Sequence, residues 1–240
     1  MLICVTTLIF SCDKEKEESI RIVSAGSDIT ASVTSFRAIA GSSVNTQPGA
    51  SGGRREITWE SVPEELLDQP LPQDFFNAVG PNADPANQRG LRYSTVGSFR
   101  VSADGFSSLN PLAAAEFDAF SGQKVFANVS SNLWDVEFEV PGAAQPAATR
   151  SIGIVFSDVD EEGTTFIEVF NGNESLGKYF VPAHDNSSSF SFLGIHFPDN
   201  VITRVRIGHE GTLSSGEPDG TGGTDLVVLD DFIYSEPVAR

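Results

Sequence analysis

From residue 91 onward the chain is a succession of short apolar runs, each cut off by Asp, Asn, Gly or Pro before it reaches helical length. The clearest is 133–140. Trp134, Val136, Phe138 and Val140 fall on one side, and Asp135, Glu137 and Glu139 fall on the other. A period of two means a strand with one dry and one wet face. Pro141-Gly142 ends it. Runs at 151–156, 164–170, 176–181, 189–197, 201–207 and 226–234 follow, and 91–93 and 97–103 precede it. Closely spaced strands with no long helix between them predict an all-β chain, an antiparallel two-sheet β-sandwich. One or two short helices decorate it. Ser61 and Glu64 have capping-box spacing with Pro63 in the first turn. Residues 112–120 form a second helical piece stopped by Ser121-Gly122.

Composition agrees. Eighteen Phe stand against two Trp and three Tyr. Phe has no polar tip and is mostly a core residue, whereas Trp and Tyr serve half-wet ligand surfaces. A formal charge of −18 over 240 residues argues against nucleic acid and against an anionic membrane surface as partners. It leaves cations, neutral ligands and proteins.

The N-terminus reads differently. Residues 2–10 are apolar, Ser11-Cys12 closes the run, and Asp13-Lys14-Glu15-Lys16-Glu17-Glu18 follows. The run is too short to cross a bilayer as a helix and suits the apolar part of a secretion signal. Ile9, Ser11 and Cys12 resemble the cleavage site of a bacterial lipoprotein signal. That resemblance implies lipidation at Cys12 and an outer-membrane or cell-surface address, with the membrane contacted through the lipid alone. The other cysteine, Cys4, lies in the part that would be removed, and the pair has no zinc-ligand spacing. The organisation expected is a signal peptide over 1–11, a flexible tether over 12–53 rich in Gly and Ser, and a sandwich domain over 54–240. Within the tether, 29–39 reads as an added strand. About 190 residues suffice for one sizeable core without a staple.

Several segments resemble a bacterial jelly roll of the carbohydrate-binding-module or galactose-binding-like type. They are Gly153-Ile154-Val155-Phe156-Ser157-Asp158-Val159-Asp160, Ile167-Glu168-Val169-Phe170-Asn171-Gly172-Asn173, Ser191-Phe192-Leu193-Gly194-Ile195, Thr203-Arg204-Val205-Arg206-Ile207 and the closing Val228-Leu229-Asp230-Asp231-Phe232-Ile233-Tyr234. The resemblance implies an extracellular glycan as ligand and a structural calcium held by an acidic residue of the last strand, Asp230 or Asp231. Fold alone does not carry function.

The candidate chemistry is sparse. Asp158, Asp160, Glu162 and Gly163 have the opening spacing of an EF-hand loop, but Val169 stands where the bidentate Glu belongs and the flanks are strands. The choice is between an acidic turn and a calcium site of another kind. Asp230 and Asp231, adjacent on a strand, should point to opposite faces, so one must be buried. That carboxylate needs a cation or donors, with Arg204 or Arg206 as the protein alternative to calcium. Trp59, Tyr93, Tyr179 and Tyr234 are candidates for stacking on sugar rings. Asp185, Asn186, Asp219 and Asp225 are candidates for bonding sugar hydroxyls. His184, His196 and His209 lack chelate spacing. No nucleophile elbow, phosphate loop or catalytic cysteine motif is present. The reading is a non-catalytic surface module for extracellular glycan. A structural or adhesion protein that contacts a surface protein is the alternative, and a glycan-active hydrolase or lyase is the second.

Overall fold

The computed structural model describes residues 21–94, 96–184, 189–220 and 224–240. In chain order the elements are β1 (Arg21–Ser27), α1 (Thr30–Ala40), β2 (Arg54–Ile57), β3 (Leu91–Tyr93), β4 (Phe99–Ser102), β5 (Val125–Asn128), β6 (Leu133–Phe138), β7 (Ala147–Ala148), β8 (Ser151–Ser157), β9 (Phe166–Asn171), β10 (Glu174–Phe180), β11 (Phe190–His196), β12 (Arg204–Gly208), β13 (Val228–Ser235) and β14 (Val238–Ala239). All strand pairings between them are antiparallel. One sheet runs β1-β11-β8-β13-β5-β4 with β2 also on β13, and a second runs β10-β9-β12-β6-β3. The two-sheet sandwich expected from the strand pattern is the observed fold.

The sheets meet through alternate side chains. Ile152, Ile154 and Phe156 of β8 and Phe232 and Tyr234 of β13 face Trp134, Val136 and Phe138 of β6 and Val205 and Ile207 of β12 in one continuous core. The second sheet keeps one wet face, so Asp135 and Glu137 alternate with buried neighbours as predicted. The first sheet is covered on both faces, and every residue of β8 and β13 is buried.

The cover on its outer face comes in two patches, neither foreseen. One is α1. Ile29, Val33, Phe36 and Ala40 recur at helical spacing and pack on Val155, Phe192 and Ile233. Phe36 lies on a shelf made by Gly153 and Gly194, which face each other across β8 and β11. A Cβ on either glycine would fall 2.5 Å from the ring. The strand expected over 29–39 is therefore a helix. The tether expected over 12–53 contributes, from Arg21 onward, an edge strand paired with β11 and a docked helix. Residues 1–20 lie outside the described part of the chain.

The other patch is a second core of Phe106, Ala113, Phe117, Val125, Ala127, Val129, Leu213, Leu226 and Val228. Turns replace the helix expected over 112–120. At 61–67 only a single 3-10 turn, Glu64–Leu66, forms, without a side-chain cap.

Candidate functional site

The sugar-stacking candidates separate cleanly by burial. Trp59 is 0% exposed and Tyr93 is 3% exposed. Trp59 stacks on Phe126 with centroids 4.0 Å apart, and its Nε1 donates to the Asp230 carbonyl at 2.9 Å. Tyr93 stacks on Phe99 at 4.6 Å, and Tyr234 donates to the Arg89 carbonyl from full burial. These three are core residues. Their large rings fill the gap between two sheets better than any surface position could reward. Tyr179, on edge strand β10, is half-buried and reaches the Leu176 carbonyl at 3.4 Å. Asp185 and Asn186 lie outside the described residues, as does Cys12.

Asp230 and Asp231 do not face opposite ways. β13 pairs Leu229 with Phe156 and Phe232 with Ile154, so three steps on one strand match two on the other. The extra residue is a β-bulge, which turns both carboxylates toward the outer face of the sheet. Protein donors meet them there. Asp230 Oδ2 accepts the backbone N–H of Phe120 at 2.5 Å and of Ser121 at 2.9 Å. Asp231 accepts the Ser121 hydroxyl and, at 2.9 Å, the Arg37 guanidinium from α1. Burial and the neighbouring Asp231 charge push the Asp230 carboxyl up to about 8. The arginine partner is thus Arg37. Arg204 and Arg206 both go to Asp135 on the wet face, at 2.8 Å. Arg37 sits on a helix that sequence pattern assigned to a strand, which is why it was missed.

Asp158 and Asp160 come together with a third carboxylate, Asp219, from a distant loop. One oxygen from each lies within 4.8 Å of the other two. Oxygen ligands about 2.4 Å from a common ion stand at most about 4.8 Å apart, so the group has the span of a cation site. Asp158 leaves β8 in the left-handed region, φ 67°, and is 1% exposed. Neither of its carboxylate oxygens has a hydrogen-bond donor. Burial, with the adjacent Asp219, Asp160 and Glu116, pushes its carboxyl up to about 9. Asp219 is also raised, by burial. An all-carboxylate set with an orphaned buried member fits a hard, oxygen-seeking cation. Glu162, which completes the EF-hand-like spacing, turns away and accepts the Ala183 N–H at 3.4 Å.

Asp225 has a separate part at the same seam. It accepts the Asp160 N–H at 3.2 Å, the Glu161 N–H at 3.4 Å and the Thr164 hydroxyl at 2.6 Å. It fixes the loop after β8 and leaves the other three carboxylates facing one another.

None of the three histidines is a member of this group, although the His184 backbone N–H donates to the carbonyl of Val159, between two of its carboxylates, at 2.7 Å. Burial lowers His209 to about 4, which keeps it neutral. Ser151 Oγ lies 3.2 Å from His196 Nδ1, but the hydroxyl is buried and bonded to Ser235 Oγ, so no substrate reaches it.

On the outer face of the second sheet lies a depression of about 370 Å3. Arg92, Glu137, Glu139, Asn173, Thr203 and Arg204 line it. Arg92 is paired with Glu139 at 3.1 Å, and the Arg204 guanidinium lies 3.7 Å from the Phe170 ring centroid. The carboxylates raised by burial do not line it.

No family model matches the chain, and no curated protein matches it. Among solved structures it is similar to the enzymatically active domain of tailspike protein 4 of bacteriophage CBA120, at 9% identity and a TM-score of 0.27. The match covers 62% of this chain and 19% of that one, so the chain spans about a fifth of that structure, and the likeness carries no argument about activity.

Proposed function

We propose that this chain is a non-catalytic binding module for extracellular glycan, held at the outer membrane or cell surface by a lipid on Cys12 and stabilised by one structural calcium at Asp158, Asp160 and Asp219. The observation that carries the glycan reading is the depression beside Arg92. Its volume falls in the range of small-molecule sites, about 300–1,000 Å3. Its rim interleaves donors (Arg92, Arg204), acceptors (Glu137, Glu139) and an amide that does both (Asn173). Sugar hydroxyls each donate and accept, so such a rim suits them better than it suits an apolar ligand. Calcium is favoured over softer metals because every ligand is a carboxylate oxygen. The test is a glycan array with the mature chain, repeated with Arg204→Ala and Asn173→Ala. Binding that both variants weaken supports the reading. A silent array removes it.

One observation favours the adhesion alternative. Leu133 is 45% and Phe180 50% exposed, and they bracket Gly208 and Phe166 in one row across four strands. An apolar row beside a charged face suits a protein surface. Retention of a surface protein that Phe180→Asp abolishes, with the array silent, would favour that reading.

A further inference from the structure

The acidic group joins two parts of the chain that otherwise belong to different cores. Asp158 and Asp160 lie on the loop that leaves β8, and this loop is rooted in the main core by buried Val159. Asp219 lies on a strap, residues 209–220 and 224–226, that crosses the second core. Leu213 and Leu226 of the strap pack there with Phe106, Phe117 and Val125. Its backbone is tied down at intervals. His209 N–H reaches the Asn132 carbonyl at 3.0 Å, Ser214 N–H reaches the Val129 carbonyl at 2.9 Å, and the Asn110 amide donates to the Glu217 carbonyl at 2.8 Å. Beyond Glu217 the pattern changes. Asp219 Oδ1 accepts the Leu226 N–H at 2.6 Å, a bond within the strap, and the rest of the carboxylate faces Asp158 and Asp160.

Across this seam three carboxylates meet, and the most buried of them has no donor for either oxygen. Like charges brought this close repel, and a buried unpartnered carboxylate is expensive. Protein groups do nothing to relieve Asp158, because the donors at the seam converge on Asp225. A divalent cation changes the sign of the contact. It turns the repulsive junction into a link between the β8 loop and the strap.

We propose that calcium at Asp158, Asp160 and Asp219 is a clasp that seats the strap of residues 209–220 and 224–226 over the second core, so that the ion governs local order in the strap rather than folding of the sandwich. The proposal rests on the calcium reading given above. It names what the ion controls. The seven-stranded sheet and the core between the sheets contain none of the three ligands within their strands, so they fold without it.

The test is hydrogen exchange read by mass spectrometry on the full-length chain, in chelator and in calcium, beside calorimetry with calcium chloride alone. Calcium at 100 times its dissociation constant should slow exchange in peptides over 213–219 by about 100-fold, while β8 and β11 change little. Asp158→Asn and, separately, the less buried Asp160→Asn should fold and lose that protection. Calorimetric binding with no change in strap exchange would overturn the clasp and leave the calcium site standing. Equal protection of every element would overturn it too, since the effect would be global. Absence of any binding would overturn both, and full protection retained in Asp158→Asn would overturn the placement.

Discussion

Two acidic clusters sit in this molecule, and their surroundings are opposite. Asp230 and Asp231 are fully buried at a bulge, yet two backbone N–H groups, a serine hydroxyl and an arginine converge on them. Asp158 is as deeply placed and receives nothing at either oxygen. In the first cluster the chain supplies donors to three of the four carboxylate oxygens, and only Asp230 Oδ1 goes without. In the second, neither oxygen of the most buried member has a donor, and the three carboxylates have the span of a cation site. An acidic pair on a strand therefore says little about metal until its donors are known, and here the pair that resembled a calcium ligand is the one that protein donors reach at three of four oxygens.

The most severe way to break the contrast is to remove the donor's support. Phe36→Ala empties the glycine shelf under α1, and should cost about 3–5 kcal/mol in urea unfolding. It should also loosen Arg37 from Asp231, making the first cluster resemble the second. Next in size, Asp230→Ala leaves the Phe120 and Ser121 N–H groups without an acceptor and should cost about 2–3 kcal/mol. Asp158→Asn should go the other way in chelator at neutral pH, raising stability by about 1 kcal/mol because folding no longer has to protonate and bury a carboxylate. A loss of stability in chelator would show that Asp158 is held by the protein after all.

Titration sharpens the same contrast. In metal-free protein Asp158 holds its proton up to about pH 9, against about 4 in the unfolded chain. Between those values the folded state keeps a proton that the unfolded state has lost. Stability contributed by this group is therefore complete below pH about 4 and is lost as pH rises through about 9. Urea midpoints in chelator should fall across that window, and less steeply in Asp158→Asn. Asp230, raised to about 8, adds a fall of the same sign that calcium does not remove. The smallest effect belongs to the wet face: Arg206→Ala, which loses a half-exposed pair with Asp135, should change stability by less than about 1 kcal/mol with or without calcium.

Legibility in the sequence followed wetness and length, since β8 and β13, buried throughout, were still readable as apolar runs of seven and eight residues. β6 was readable because one of its faces meets water and forces Asp135 and Glu137 to alternate with Trp134 and Val136. β5, buried along its whole length, has no alternation to read, and it was missed along with β2 and the short β7 and β14. The helix α1 was hidden by its β-branched residues, although 29, 33, 36 and 40 carry helical spacing. At the acidic site the local half, Asp158 and Asp160, showed in the loop pattern. Asp219 did not, because chain distance conceals a partner that only the closing of the sandwich brings near. The core placement of Trp59 and Tyr234 was hidden for a related reason: residue type shows that a ring wants one polar bond, and not whether a ligand or a carbonyl will provide it.

The docking of β1 and α1 would also set a leash for the proposed lipid on Cys12. Eight residues lie between Cys12 and Arg21, and the nine Cα steps that join the two can span at most roughly 30 Å. A lipid on Cys12 would hold the body within about one bilayer thickness of the headgroups. The module would then scan the layer of polymer lying directly on its own cell and leave more distant targets to proteins with longer stalks.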